Sequence, residues 1–131
     1  MTTVPAFAWT AWTTLAALAM YSWIFFNVGR ARAKFGIKAP AMEGPAPFAS
    51  VLRVHANTVE QIVLFLPALW LCAVYRSDHF AAVVGAVWVM GRILYAFGYY
   101  SDPSKRGPGF GIALLASSAL MIGAASGLVS M

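Results

Sequence analysis

Phe7 to Val28 reads FAWTAWTTLAALAMYSWIFFNV, 22 consecutive residues without a charge. Crossing a hydrocarbon core of about 30 Å takes about 20 helical residues, so this stretch is long enough to span one. Three more segments meet the same test. Phe48 to Tyr75 ends in an uninterrupted apolar run from Ile62 to Val74. His79 to Tyr100 is apolar apart from His79 and Arg92, and Pro108 to Met131 carries no charge. Sheet-like alternation is absent throughout, and helices satisfy their own backbone groups in lipid. The expected fold is all-α, an integral membrane bundle of four helices forming one domain over residues 1–131. The helices are expected near 7–28, 48–75, 79–100 and 108–131.

Composition agrees. Of 131 residues, 61% are hydrophobic and only 10% charged, and the mean hydropathy is +0.75. Soluble domains carry about 25% charged residues, and a globule this small has too much surface to cover with so few. Disorder is equally excluded, since it requires low hydrophobicity. The net charge of +5 does not indicate a nucleic-acid partner, because the cations are placed as juxtamembrane charges. Arg30, Arg32, Lys34 and Lys38 lie in a Pro-rich connection, Gly29 to Pro47, and Lys105 and Arg106 in a second, Ser101 to Gly109. The turn at Arg76–Asp78 holds one cation and the terminal tails none. The positive-inside tendency therefore puts the first and third loops in the cytoplasm and both termini opposite. No Lys or Arg precedes Phe7, and the apolar run is too long for the h-region of a secretory leader.

Spans this apolar make their polar residues informative. Arg53, Asn57 and Glu60 fall at i, i+4 and i+7 of the second helix, and Arg92, Tyr95 and Tyr99 at i, i+3 and i+7 of the third. Each set occupies one helix face. Glu60 lies about 18 Å and Arg92 about 14 Å from the basic ends of their spans, so the two rows share a level. An intramembrane charge costs a few kcal/mol or more unless paired or hydrated. A single Arg92–Glu60 staple would meet that demand, but it leaves Arg53, Asn57, both tyrosines and the bordering Arg30 and Arg106 without a purpose. A polar pocket accounts for all of them. Its guanidinium forks suit carboxylates, its carboxylate an ammonium and its amide a peptide group. A small zwitterionic peptide with two carboxylates would use the whole set.

No metal set is visible, because His55 and His79 belong to different levels and Cys72 lies far along the second helix. No Ser-His-Asp grouping or phosphate loop occurs either. Cys72, Pro67 and the tryptophans Trp9, Trp12, Trp70 and Trp88 read as packing, helix-bending or interface residues, and His55 as a histidine making one hydrogen bond. Ala119, Gly123 and Gly127 form a small-residue ridge on the last helix, suited to packing within the subunit or between subunits.

The segment RVHANTVEQIVLFLP (Arg53 to Pro67) together with GRILYAFGYYSDPSKRGPGFG (Gly91 to Gly111) resembles the membrane-associated proteins in eicosanoid and glutathione metabolism, the MAPEG family. The likeness is greatest to the microsomal glutathione transferase type-three branch and its bacterial relatives. It implies a homotrimer that uses glutathione as cosubstrate and binds it at subunit interfaces. Carried over by position, Arg53, Asn57, Glu60, Tyr95 and Tyr99 would hold glutathione, with Arg30 (or the nearby Arg32) arriving from the first helix. Arg106 would stabilise the glutathione thiolate as the catalytic residue, and Arg92 would stand behind these groups. The implied activity is conjugation of lipophilic electrophiles, reduction of lipid hydroperoxides, or both, in a bacterial inner membrane. Two other readings compete. A non-enzymatic lipid-binding or partner-presenting protein of the same fold should lack the arginine–tyrosine set. A proton-driven exporter should carry a carboxylate in its first helix, which has none.

Overall fold

The computed structural model describes residues 5–131. It contains four long helices: α1, Ala8–Phe35; α2, Ala46–Tyr75; α3, Asp78–Ser101; and α4, Gly107–Val129. A short 3-10 turn, Pro103–Arg106, leads into α4. All four helices are long and apolar enough to cross a membrane. α3 packs against each of the others, with α1 and α4 on different sides of it.

Several boundaries differ from the sequence expectation, each for a local reason. α1 runs seven residues past Val28 and carries Arg30, Arg32 and Lys34 on helical turns rather than in a loop. The alanines between these cations favour helix, and nothing stops it before Gly36, which adopts φ 67° and returns its N–H to the Arg32 carbonyl. A glycine in this left-handed conformation is a common helix terminator. Arg32 then ties down the following loop, its Nη1 donating to the Ala41 carbonyl at 2.7 Å. α2 starts two residues early and takes Pro47 into its first turn, where a missing N–H costs nothing. Ser101 to Gly109 is not an open loop either. Its prolines sit in first turns of helical segments, so only Asp102 interrupts the helical path.

Polar residues secure the end of the bundle farthest from the basic segments. Asp78 Oδ1 accepts hydrogen bonds from the Thr10 backbone N–H at 2.8 Å and from Thr10 Oγ1 at 2.7 Å. This first residue of α3 thus satisfies open N–H groups of α1. Ser77 caps α3 itself by accepting from the Phe80 N–H. Trp70 Nε1 reaches Thr14 Oγ1 at 3.1 Å. In the core, Phe65 and Trp88 stack with centroids 3.8 Å apart, and Cys72 is fully buried, as packing residues.

Two residues of the α4 ridge, Gly123 and Gly127, pack within the chain. A Cβ on Gly123 would lie 3.0 Å from both Cys72 Sγ and Phe80 Cε1, and one on Gly127 would collide with the Tyr75 carbonyl. At the other end of α4, Gly109 lies against the backbone of Gly91 and Tyr95 on α3. Gly109→Val should therefore lower the Tm in detergent by an amount equivalent to about 1–3 kcal/mol or more, the usual cost of overpacking. Gly111→Ala, with nothing within 4 Å of the added methyl, should show no such loss. Equal melting of the two variants would contradict this account of the α3–α4 contact.

Candidate functional site

α2, α3 and the start of α4 border an open cavity of about 340 Å3 lined by Arg53, Ala56, Asn57, Glu60, Tyr95, Tyr99, Arg106, Gly107 and Phe110. Small-molecule pockets begin at about 300 Å3. Six of the eight residues singled out in the sequence meet here: Arg53, Asn57 and Glu60 from one face of α2, Tyr95 and Tyr99 from α3, and Arg106 from the 3-10 turn. Ala56, Gly107 and Phe110 complete the lining and escaped the sequence reading. Phe110 was visible in principle, one helical turn after Arg106.

Close contact between α3 and α4 sets the position of Arg106. Gly98 on α3 lets the Lys105 carbonyl sit directly on it. Asp102 then folds the turn, its Oδ1 accepting from the Ser104 N–H at 3.0 Å while its carbonyl accepts from the Lys105 N–H at 2.8 Å. The Arg106 guanidinium lies 5.8 Å from the Tyr99 ring centroid and makes one long bond, 3.4 Å, to the Pro103 carbonyl. No carboxylate among the described residues hydrogen-bonds to it.

Two of the singled-out residues lie elsewhere. Arg30 lines a second cavity of about 610 Å3 with Trp23, Asn27, Lys34 and Tyr100, where Asn27 Nδ2 donates to Tyr100 Oη at 3.2 Å. Within one subunit it does not reach the Arg53–Arg106 cavity. Arg92 does not line the cavity with Tyr95 and Tyr99 but lies behind the Tyr95 ring. It turns into the core, is 0% exposed, donates from Nη2 to Thr58 Oγ1 at 2.8 Å and stacks 4.2 Å from the centroid of the Tyr95 ring. Thr58 passes the bond on to the Val54 carbonyl at 2.7 Å. The Arg92–Glu60 staple is thus not what holds Arg92. Thr58 is a missed residue, concealed because a lone threonine in an apolar helix usually bonds only to its own backbone.

Four side chains keep buried polar atoms without a hydrogen-bond partner among the described residues: Asn57 Oδ1, Trp88 Nε1, Nε and Nη1 of Arg92, and Ser117 Oγ. Of these residues only Asn57 lines the cavity. His55 makes the one hydrogen bond expected of it, 3.1 Å to Tyr21 Oη. No three His, Cys, Asp or Glu side chains come together among the described residues.

The Ser104 N–H holds the Asp102 carboxyl below the usual carboxylate range. A group whose folded pKa is depressed contributes stability that is complete above its unfolded pKa of about 3.9 and is lost as pH falls through the folded value. The turn should therefore stay ordered through neutral pH and loosen only in strong acid. Asp102→Ala should produce the same loosening at pH 7, read as faster hydrogen exchange over Ser104–Arg106 than in the unsubstituted protein at that pH. Unchanged exchange would mean that Asp102 does not hold the turn.

Comparison with known proteins yields a family match over residues 10–126, to the MAPEG family. An uncharacterized protein of Synechocystis is 51% identical over 116 residues, 88% of this chain and 85% of its own length. Mouse microsomal glutathione S-transferase 2 is 32% identical over 117 residues, 89% of this chain and 80% of its own. Leukotriene C4 synthase of the guinea pig, Cavia porcellus, is 34% identical over 96 residues, 73% of this chain and 64% of its own. A multi-pass membrane chain with this cavity, matched along nearly its whole length, belongs to the MAPEG family.

Proposed function

We propose that the Arg53–Arg106 cavity binds glutathione and that the protein is a membrane glutathione transferase, a peroxidase, or both. The observation that carries this reading is the convergence of two guanidiniums, one carboxylate, one amide and two phenols on a single cavity. Glutathione presents two carboxylates, an ammonium, two peptide groups and a thiol. Arginine forks pair with its carboxylates, Glu60 with its ammonium, and the Asn57 amide in the cavity lining with a peptide group.

Arg106 is then the catalytic residue. A free thiol has a pKa of about 8.5, so only a few per cent is thiolate at neutral pH. A guanidinium held beside the sulfur favours the anion, and each unit of lowering corresponds to about 1.4 kcal/mol. The thiolate attacks an electrophilic carbon, forming a C–S bond as the leaving group departs with the bond's electrons. With a hydroperoxide it attacks oxygen, breaking the O–O bond to give an alcohol and a sulfenic acid, which a second glutathione converts to disulfide and water. Lipophilic acceptors reach the sulfur from the bilayer, the donor from water. Leukotriene C4 synthase and microsomal glutathione S-transferase 2 among the relatives support glutathione chemistry. We place the basic end of the bundle in the cytoplasm of a bacterial cell.

Assembly follows from charge. Arg53 and Glu60 are exposed on α2, and Glu60 lies about 21 Å along a helix about 45 Å long. Charges at that depth do not face lipid. A second copy of the chain covering this face, in the homotrimer implied by the family resemblance, would enclose the cavity and could bring Arg30 to it from a neighbouring α1.

Purified protein in detergent should conjugate 1-chloro-2,4-dinitrobenzene only when glutathione is present. Arg106→Ala should reduce kcat at least about 100-fold, the usual cost of losing one preorganised charge stabiliser, while Glu60→Gln should chiefly raise KM for glutathione. Full turnover by Arg106→Ala would remove Arg106 from the chemistry.

A further inference from the structure

Arg92 presents a physical problem that the site chemistry leaves unsolved. It is 0% exposed, so no second copy of the chain and no bulk solvent can neutralise it. The hydroxyl of Thr58 is its one hydrogen-bonding partner, and Nε and Nη1 have none among the described residues. An unpaired buried charge is among the most costly features a protein can carry. Tyr95 identifies what lies on the other side: its ring stacks on the guanidinium at 4.2 Å and also lines the cavity. Arg92 therefore sits directly behind the cavity wall, and its field crosses one aromatic ring to reach an occupant.

Counting charge gives that field a purpose. The charged groups lining the cavity are Arg53 and Glu60 from α2 and Arg106 from the turn before α4, with the phenols of Tyr95 and Tyr99 from α3; α1 contributes none. Two guanidiniums against one carboxylate leave a single positive charge, which matches glutathione in its thiol form: two carboxylates, one ammonium, net charge one negative. Arg92 raises the total to two. The matching ligand is then glutathione as the thiolate, which carries two negative charges. We infer that Arg92 is a positioning residue for charge: from behind Tyr95 it supplies the second positive charge that makes the doubly anionic, thiolate form of the ligand the neutral complex. This inference rests on the glutathione reading and adds a division of labour to it. Arg106 touches the sulfur locally, and Arg92 sets the charge of the whole cavity without touching the ligand. A unit charge about 10 Å away, in a medium of effective dielectric about 20, changes the balance between two forms differing by one charge by about tenfold.

Two glutathione derivatives separate this role from a structural one without reference to turnover. Glutathione sulfonate keeps a permanent negative charge at sulfur, and S-methylglutathione has none. Calorimetric titration of the full-length protein in detergent should give tighter binding of the sulfonate. In Arg92→Met the preference should fall about tenfold, with S-methylglutathione affinity held within about twofold, whereas Arg92→Lys should retain it. A merely structural Arg92 would weaken both derivatives in parallel, and that result overturns the inference. So does equal binding of the two derivatives by the unsubstituted protein, or loss of the preference in a folded Arg92→Lys, which decides the matter if Arg92→Met does not fold. Failure of the unsubstituted protein to bind either derivative would instead end the glutathione reading, and this inference with it.

Discussion

Charge inside a low-dielectric bundle has to be matched or enclosed, and the architecture around α2 and α3 follows from that requirement. Arg53, Asn57 and Glu60 occupy one face of α2, and Tyr95 and Tyr99 face them from α3 across a shared cavity. Arg53 and Glu60 could not be turned outward to lipid without a cost of a few kcal/mol or more. The remaining surface of the four helices is overwhelmingly apolar and needs little beyond length and packing density. The polar cavity, not the apolar core, is therefore the costly part of this protein.

Glycine determines where the cavity closes. The backbones of α3 and α4 approach through Gly91, Gly98 and Gly109, any of which would strike neighbouring backbone atoms if it carried a side chain. That approach places the Asp102-capped turn over Tyr99 and delivers Arg106 to the rim. At the far end, Asp78 serves α1 in place of an N-cap from α1 itself. A fixed bundle with an open, cation-rich rim suits a reaction that joins a water-soluble donor to a membrane-dissolved acceptor.

Most of this was legible in the sequence because helical spacing and bilayer thickness are both simple rulers. The four spans followed from runs such as Phe7 to Val28, and the cavity from the i, i+4, i+7 spacing of Arg53, Asn57 and Glu60. Two things were hidden. The end of α1 was placed at Val28 because the basic residues beyond it resemble a loop, yet charge does not end a helix and Gly36 does. Arg92 is expected behind the cavity residues, but what holds it there is Thr58 rather than Glu60. Thr58, which receives Arg92, carries no signal of its own.

The central claim is that the two polar rows form a cavity for an anionic thiol tripeptide. An experimental structure of the protein in lipid nanodiscs containing glutathione tests it most directly. The account predicts ligand density bounded by Arg53, Glu60, Tyr95, Tyr99 and Arg106, with the sulfur beside the Arg106 guanidinium. A map with that cavity collapsed, its arginines paired among the protein's own carboxylates and glutathione absent, would contradict it.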